Sequence, residues 1–171
     1  DAAGAAKTLK AFSASGTSLL ALQNGLQIKE LVRHAIGGRV DVVRGLAMMA
    51  AESPEPGKVS FWEGPTIIEQ TKTAKKIQAV FLESGLKTRL VTDIGKEEWK
   101  KMTMNCVINP LTAILRVRNN KICSPALKKI RHDIIKECMR VAEAEGVSLG
   151  QGLVAETERK IKGYSNFSSM C

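Results

Sequence analysis

Apolar positions follow two patterns along the 171-residue chain, short runs separated by turn residues up to Thr92 and helical periods after it. Residues 2–12 are Ala-rich with Leu9 and Phe12 spaced for a helix, and Ser13 to Gly16 break it. Residues 18–23 predict a short buried strand that ends in Asn24-Gly25, and 26–36 an amphipathic helix stopped by Gly37-Gly38. Residues 39–49 are Val-rich and then meet Gly45, which predicts a second buried strand of the same sheet. Two prolines and a glycine make 52–57 a loop, and 58–62 with 65–68 read as an edge hairpin turning at Gly64-Pro65. A helix at 71–83, with Ala74, Ile77, Val80 and Phe81 in period, is capped by Ser84-Gly85 and followed by a last strand at 86–92. Strand and helix in alternation predict an α/β layer.

Beyond Asp93 only helical periods remain. Residues 94–117 form the first, and Asn119-Asn120 interrupts it. Ser124-Pro125 is an N-cap followed by proline at the first helical position, and 125–145 is amphipathic through Leu127, Ile130, Ile134, Ile135, Met139 and Val141. Gly146 ends that helix, and 150–162 form a weaker third. The domain boundary falls near Asp93, dividing the chain into 1–93 and 94–171, without internal repeat or low-complexity tract.

The first helix of the second part carries an unusual polar row. Lys101, Asn105 and Asn109 stand at i, i+4 and i+8 and share one side of the cylinder, while Met102, Val107, Ile108, Leu111 and Ile114 lie elsewhere. Two short amides beside an ammonium make a row of donors and acceptors suited to a small oxygen-rich ligand. On periodicity alone a solvated face is the favoured reading, since Asn is a mediocre helix former and this spacing arises readily on a polar face. Pro110 follows Asn109 directly, removes a helix hydrogen bond and crowds the Cys106 carbonyl, which predicts a kink where the row ends.

Composition narrows the classes of function. With 44% hydrophobic residues the chain can bury a core, and with only two Trp, one Tyr and four Phe that core is aliphatic. The net charge of +9 raises nucleic acid, acidic lipid or phosphorylated ligands. The basic residues are scattered rather than interleaved with aromatics, so solvated Lys-rich helices are expected and no nucleic-acid partner. Cys106, Cys123, Cys138 and Cys171 show no paired spacing, and His34 and His132 have no ligand-spaced companions, so neither a metal site nor a disulfide framework is expected. Thiols that are expected to stay reduced, with no membrane-length apolar run and no signal-peptide order in the first residues given, make the cytoplasm, or an organelle matrix, the expected location.

Three motifs together resemble one family. Trp-x-Lys-x-x-x-Asn-x-x-x-Asn-Pro-Leu-Thr-Ala, from Trp99 to Ala113, is similar to the helix that opens the C-terminal domain of ketopantoate reductases (2-dehydropantoate 2-reductases). Upstream, Leu22-Gln23-Asn24-Gly25-Leu26 resembles the family's strand-end motif, and Ser168-Ser169-Met170 its Ser-Ser-Met segment. The resemblance implies a partial Rossmann-like NADP-binding sheet followed by a helical C-terminal domain like that of 6-phosphogluconate dehydrogenases. It implies NADPH as cofactor and reduction of the small 2-keto acid 2-dehydropantoate to pantoate, on the route to pantothenate and coenzyme A. Carried over by motif, Lys101 donates the proton, with Lys100 out of register. Asn105, Asn109, Asn119 and Ser169 bind substrate, while Asn24, Gly25 and Ala51 lie toward the cofactor.

The chain also departs from the family pattern. Gln27 stands where Asn-Gly-Leu-Gly ordinarily continues, Asn120 replaces the Gly after Asn119, and Glu69 takes a place usually held by Gly. The first bears on the cofactor-side loop and the second on a helix-ending turn. No Gly-x-Gly-x-x-Gly is present, and the family's acidic residue past the Ser-Ser-Met is missing, so the sequence resembles the middle of such an enzyme, truncated at both ends. The competing expectation is a non-catalytic relative serving as a basic scaffold subunit of a larger complex. A homodimer is compatible with the enzyme, and a membrane partner with neither.

Overall fold

The computed structural model describes residues 1–38 and 40–167. The chain divides into two compact units, Asp1–Ala51 with Ser60–Ile94 and Glu52–Val59 with Gly95–Cys171. The architecture is α/β followed by helices.

The first unit holds helix α1 (Ala2–Lys10), strand β1 (Ser18–Ala21), helix α2 (Ile28–Ile36), strand β2 (Asp41–Ala47), strand β5 (Thr66–Glu69), helix α3 (Lys72–Glu83) and strand β6 (Thr88–Val91). Strands β3 (Ala50–Glu55) and β4 (Lys58–Trp62) form a separate two-stranded hairpin. The four-stranded sheet runs β1-β2-β5-β6, with β1 parallel to β2, β2 antiparallel to β5, and β5 parallel to β6. Val42 and Val43 sit side by side on β2 and belong to different clusters, because successive strand residues face opposite sides. Val42 joins Ile28, Val32 and Ile36 of α2, buried at intervals of four on one helical face, and Ala6 of α1. Val43 joins Ile68 and Ala74.

Two expectations are overturned here. Residues 52–57 are not a loop: 52–55 are strand, paired with β4 around a turn in which Gly57 takes a φ of 81°. A two-stranded hairpin leaves outward N–H positions unpaired, so Pro54 is tolerated. Nor do 58–62 and 65–68 pair: β4 pairs with β3, and β5 lies inside the larger sheet. Thr66, Ile67 and Ile68 are all buried, which a hairpin with one open face could not provide. Gly64 makes the passage from β4 to β5, where a Cβ would stand 2.2 Å from the Met48 carbonyl oxygen.

The second unit is built on helix α4 (Ile94–Leu115), helix α5 (Lys128–Ala144) and helix α6 (Leu153–Lys162), with short 3-10 helices at Asn119–Cys123 and Pro125–Leu127. Val107, Ile108 and Leu111 of α4 pack with Ile122, Ile135, Ala142, Leu153 and Ile161 into one aliphatic core. α4 passes through Pro110 and stops at Leu115, two residues before the expected end. Arg116 takes a left-handed φ of 53°, and the Val117 N–H donates to the Thr112 carbonyl at 3.3 Å, a helix-ending turn usually built on glycine. Among the described residues, no helix is long and apolar enough to cross a membrane.

Candidate functional site

Lys101, Asn105 and Asn109 lie on one flank of α4, each half-buried, beside the fully buried Val107, Ile108 and Thr112. A step of four residues turns an α-helix by about 40°, so the three heads form a slowly winding row. The buried neighbours are satisfied internally: Thr103 donates its hydroxyl to the Trp99 carbonyl at 2.8 Å, and Thr112 to the Ile108 carbonyl at 2.7 Å. Lys100 Nζ lies 3.1 Å from Glu97 Oε1. Lys160, hydrogen-bonded to Glu156, and more weakly Lys100 hold the Glu156 carboxyl below the usual range.

Asn119 is only 5% exposed, and its Oδ1 is buried with no hydrogen-bond partner among the described residues. Its backbone N–H donates to the Asn166 carbonyl at 3.0 Å. The neighbouring Arg118 donates Nη1 to the Ser165 carbonyl at 2.8 Å and lies 4.5 Å over the Phe167 ring. Residues 118 and 119 thus hold the chain that runs toward the Ser-Ser-Met segment. Ser169 itself lies outside the described residues.

Asn24 and Gly25 are exposed in the loop between β1 and α2, at the carboxyl end of the strand. Gly25 has a φ of 124°, and a Cβ there would press on Ile28 at 3.1 Å, so glycine is required and leaves the backbone open to a ligand. Gln27 caps α2 in the left-handed region at φ 57°. Ala51 is exposed on β3, in the hairpin and not in that loop. Arg44, on β2, is 1% exposed and donates to the carbonyls of Ala21 (2.8 Å), Gly45 (2.5 Å) and Gly25 (3.1 Å).

Residues 1–72 match the family model described as ketopantoate reductase PanE/ApbA, and residues 93–171 match its C-terminal counterpart, ketopantoate reductase PanE/ApbA C terminal. The chain belongs to the ketopantoate reductase family. A 2-dehydropantoate 2-reductase of Halobacterium salinarum is 33% identical over 99% of this chain and 58% of its own length. One from Pyrococcus horikoshii is 30% identical over 77% of this chain and 45% of its own. The chain therefore spans about half the length of the curated relatives it matches. A PanE/ApbA family ketopantoate reductase from Ralstonia eutropha superposes with a TM-score of 0.86 at 26% identity, covering 99% of this chain and 57% of that one. A D-mandelate dehydrogenase solved with NADH and anilino(oxo)acetate shares the fold, with a TM-score of 0.83 at 21% identity over 98% of this chain and 58% of that one.

Against the ketopantoate reductase pattern, the three departures have different structural meanings. Gln27 keeps the left-handed backbone that a glycine adopts freely, so the loop retains its course at some strain. Asn120 lies in a 3-10 helix without a positive φ, so glycine is not needed there. Glu69 accepts two hydrogen bonds from Lys29, at 2.7 and 2.8 Å, and one from the Arg44 backbone N–H at 2.8 Å. The motifs did not single out Arg44 or Arg118. The one signal for Arg44 was a charged residue inside the apolar run Val42-Val43-Arg44-Gly45-Leu46. Among the described residues, no group of three or more His, Cys, Asp or Glu could hold a metal ion.

Proposed function

We propose that the chain is the central part of an NADPH-dependent reductase that converts 2-dehydropantoate to pantoate. Residues 1–93 would be the later half of its nucleotide-binding domain and 94–171 its helical substrate domain. The observation that carries this proposal is the half-buried row of Lys101, Asn105 and Asn109 on α4, in a chain whose family matches span both parts.

NADPH supplies a hydride when bound. Lys101, half-buried at the head of the row, is suited to donate a proton to the carbonyl oxygen as negative charge develops on it. Asn105 and Asn109 each offer one acceptor and two donor positions for the substrate hydroxyl and carboxylate. The buried Asn119 Oδ1 supports a place in the same set, because a bound hydroxyl would satisfy an acceptor that is otherwise costly to bury. Ser169 completes the substrate set. Asn24, Gly25 and Ala51 would lie on the cofactor side. The exposed backbone at Gly25, at the carboxyl end of a sheet strand, fits such a ligand.

The test compares two adjacent lysines in the full-length protein, following NADPH oxidation with 2-dehydropantoate. Lys101→Ala should lower kcat by about 100-fold or more, the usual contribution of a general acid, while Lys100→Ala stays near the wild-type rate. Equal losses in both variants would refute the assignment of Lys101.

A further inference from the structure

Asn24 and Gly25 occupy a loop that no sheet ladder holds, since β1 ends at Ala21 and α2 begins at Ile28. The loop is nevertheless fixed at two points. At its entry, the buried Arg44 guanidinium spans the Ala21 carbonyl with Nη1 and the Gly25 carbonyl with Nη2, while Nη1 also reaches its neighbour, the Gly45 carbonyl. At its exit, Glu69 holds Lys29 in the first turn of α2 and accepts the Arg44 backbone N–H with the same Oε1 that takes one of the lysine bonds. Residue 44 is therefore common to both attachments. The rigid, many-donor fork of an arginine can satisfy several carbonyls at once, which no apolar residue and no single ammonium does with the same geometry.

We infer that Arg44 is a positioning residue for dinucleotide binding, setting the Gly25 backbone and thereby the presentation of Asn24 from beneath the loop. The inference rests on the proposed cofactor side of the site. Arg44 itself is buried beneath the loop, so its effect passes through the carbonyls it holds. Its removal leaves those carbonyls without their donor and frees the loop to sample other courses, so cofactor affinity falls while the polar row of α4 is untouched.

The experiment uses the full-length protein with Arg44→Met, Arg44→Lys and, as a packing control, Val32→Ala in the α2 core. NADPH binding is read by nicotinamide fluorescence, alongside KM for each substrate, kcat and the thermal midpoint. Arg44→Met should weaken NADPH binding by about 10-fold, with KM for the 2-keto acid within about 2-fold of wild type. Arg44→Lys should recover part of the loss. Val32→Ala should lower the thermal midpoint without a matching loss of NADPH affinity. NADPH affinity unchanged in Arg44→Met, or reduced equally in Val32→Ala, would overturn the positioning role; if Arg44→Met does not fold, wild-type affinity in Arg44→Lys at a lowered midpoint does the same. A wild-type protein that binds no dinucleotide would overturn the proposed function first, and the role of Arg44 with it.

Discussion

Arg131 of α5 and Glu158 of α6 form a two-bond fork, Nε to Oε1 at 2.8 Å and Nη2 to Oε2 at 2.9 Å, and the arginine side chain is only 2% exposed. Arg131 Nη1 also donates to the Ile122 carbonyl and, at 3.0 Å, to that of Ser124. One guanidinium thus joins α5 and α6 to the connection between α4 and α5. The hydrogen bonds from Arg131 hold the Glu158 carboxyl below the usual carboxylate range. A depressed acid stabilises the fold fully above its unfolded value and loses that contribution as pH falls through its folded one. Glu158→Gln should therefore cost about 2 kcal/mol in urea unfolding at neutral pH, with the difference from wild type narrowing below about pH 4.5.

Asn105→Ala should act on substrate use rather than on the fold, because the amide is only half-buried and its loss leaves the packed face of α4 intact. The expected effect is a loss in kcat/KM for the 2-keto acid worth about 1 to 3 kcal/mol, with KM for NADPH unchanged. Steady-state kinetics with each substrate varied in turn will check it. An unchanged keto-acid KM and kcat would remove Asn105 from the site.

Two side-chain-bearing residues hold backbone conformations that glycine adopts without strain, Gln27 at φ 57° and Arg116 at φ 53°. Gln27→Gly and Arg116→Gly should each raise stability by about 0.5 to 1 kcal/mol, strain relief outweighing the extra freedom of the unfolded chain. Chemical denaturation of each variant provides the measurement, and a loss of stability in both would contradict the strain.

Gly64 presents the opposite case. A Cβ there would lie 2.2 Å from the Met48 carbonyl oxygen and 2.5 Å from its carbon, both backbone atoms that cannot rotate away. Gly64→Ala should destabilise by about 3 kcal/mol and disturb the entry to β5, visible as lost amide protection in Thr66 to Ile68.

The Cys138 thiol is pushed up to about 11, chiefly by burial and further by the adjacent Cys106 thiol. Since thiolate is the reactive form, Cys138 should react with iodoacetamide about 100-fold more slowly in the folded protein than in the unfolded one near pH 8. Mass spectrometry of timed labelling distinguishes this from ordinary reactivity.

Periodicity made α2 and α5 legible because their buried residues recur on one face. It fails at Pro54, where proline signals a loop although an edge hairpin leaves N–H positions that need no partner. It fails again at β5, whose sheet neighbours β2 and β6 are distant in sequence, so no local pattern records the pairing. On α4, spacing puts Lys101, Asn105 and Asn109 on one side, but their half-burial and the bond from Lys100 to Glu97 depend on how the helix packs, which spacing does not record. Arg44 was visible as a charge in an apolar strand, but its carbonyl partners lie up to 23 residues away.

The three attachments of residues 165–167, a carbonyl to the Arg118 guanidinium, a carbonyl to the Asn119 amide and a ring beneath that same guanidinium, all end on two consecutive residues. Fastenings so closely grouped form and break together, which makes the strap after α6 cooperative, either latched as a unit or released as one. A group that settles beside the Asn119 side chain is therefore linked to that latch through a single peptide unit.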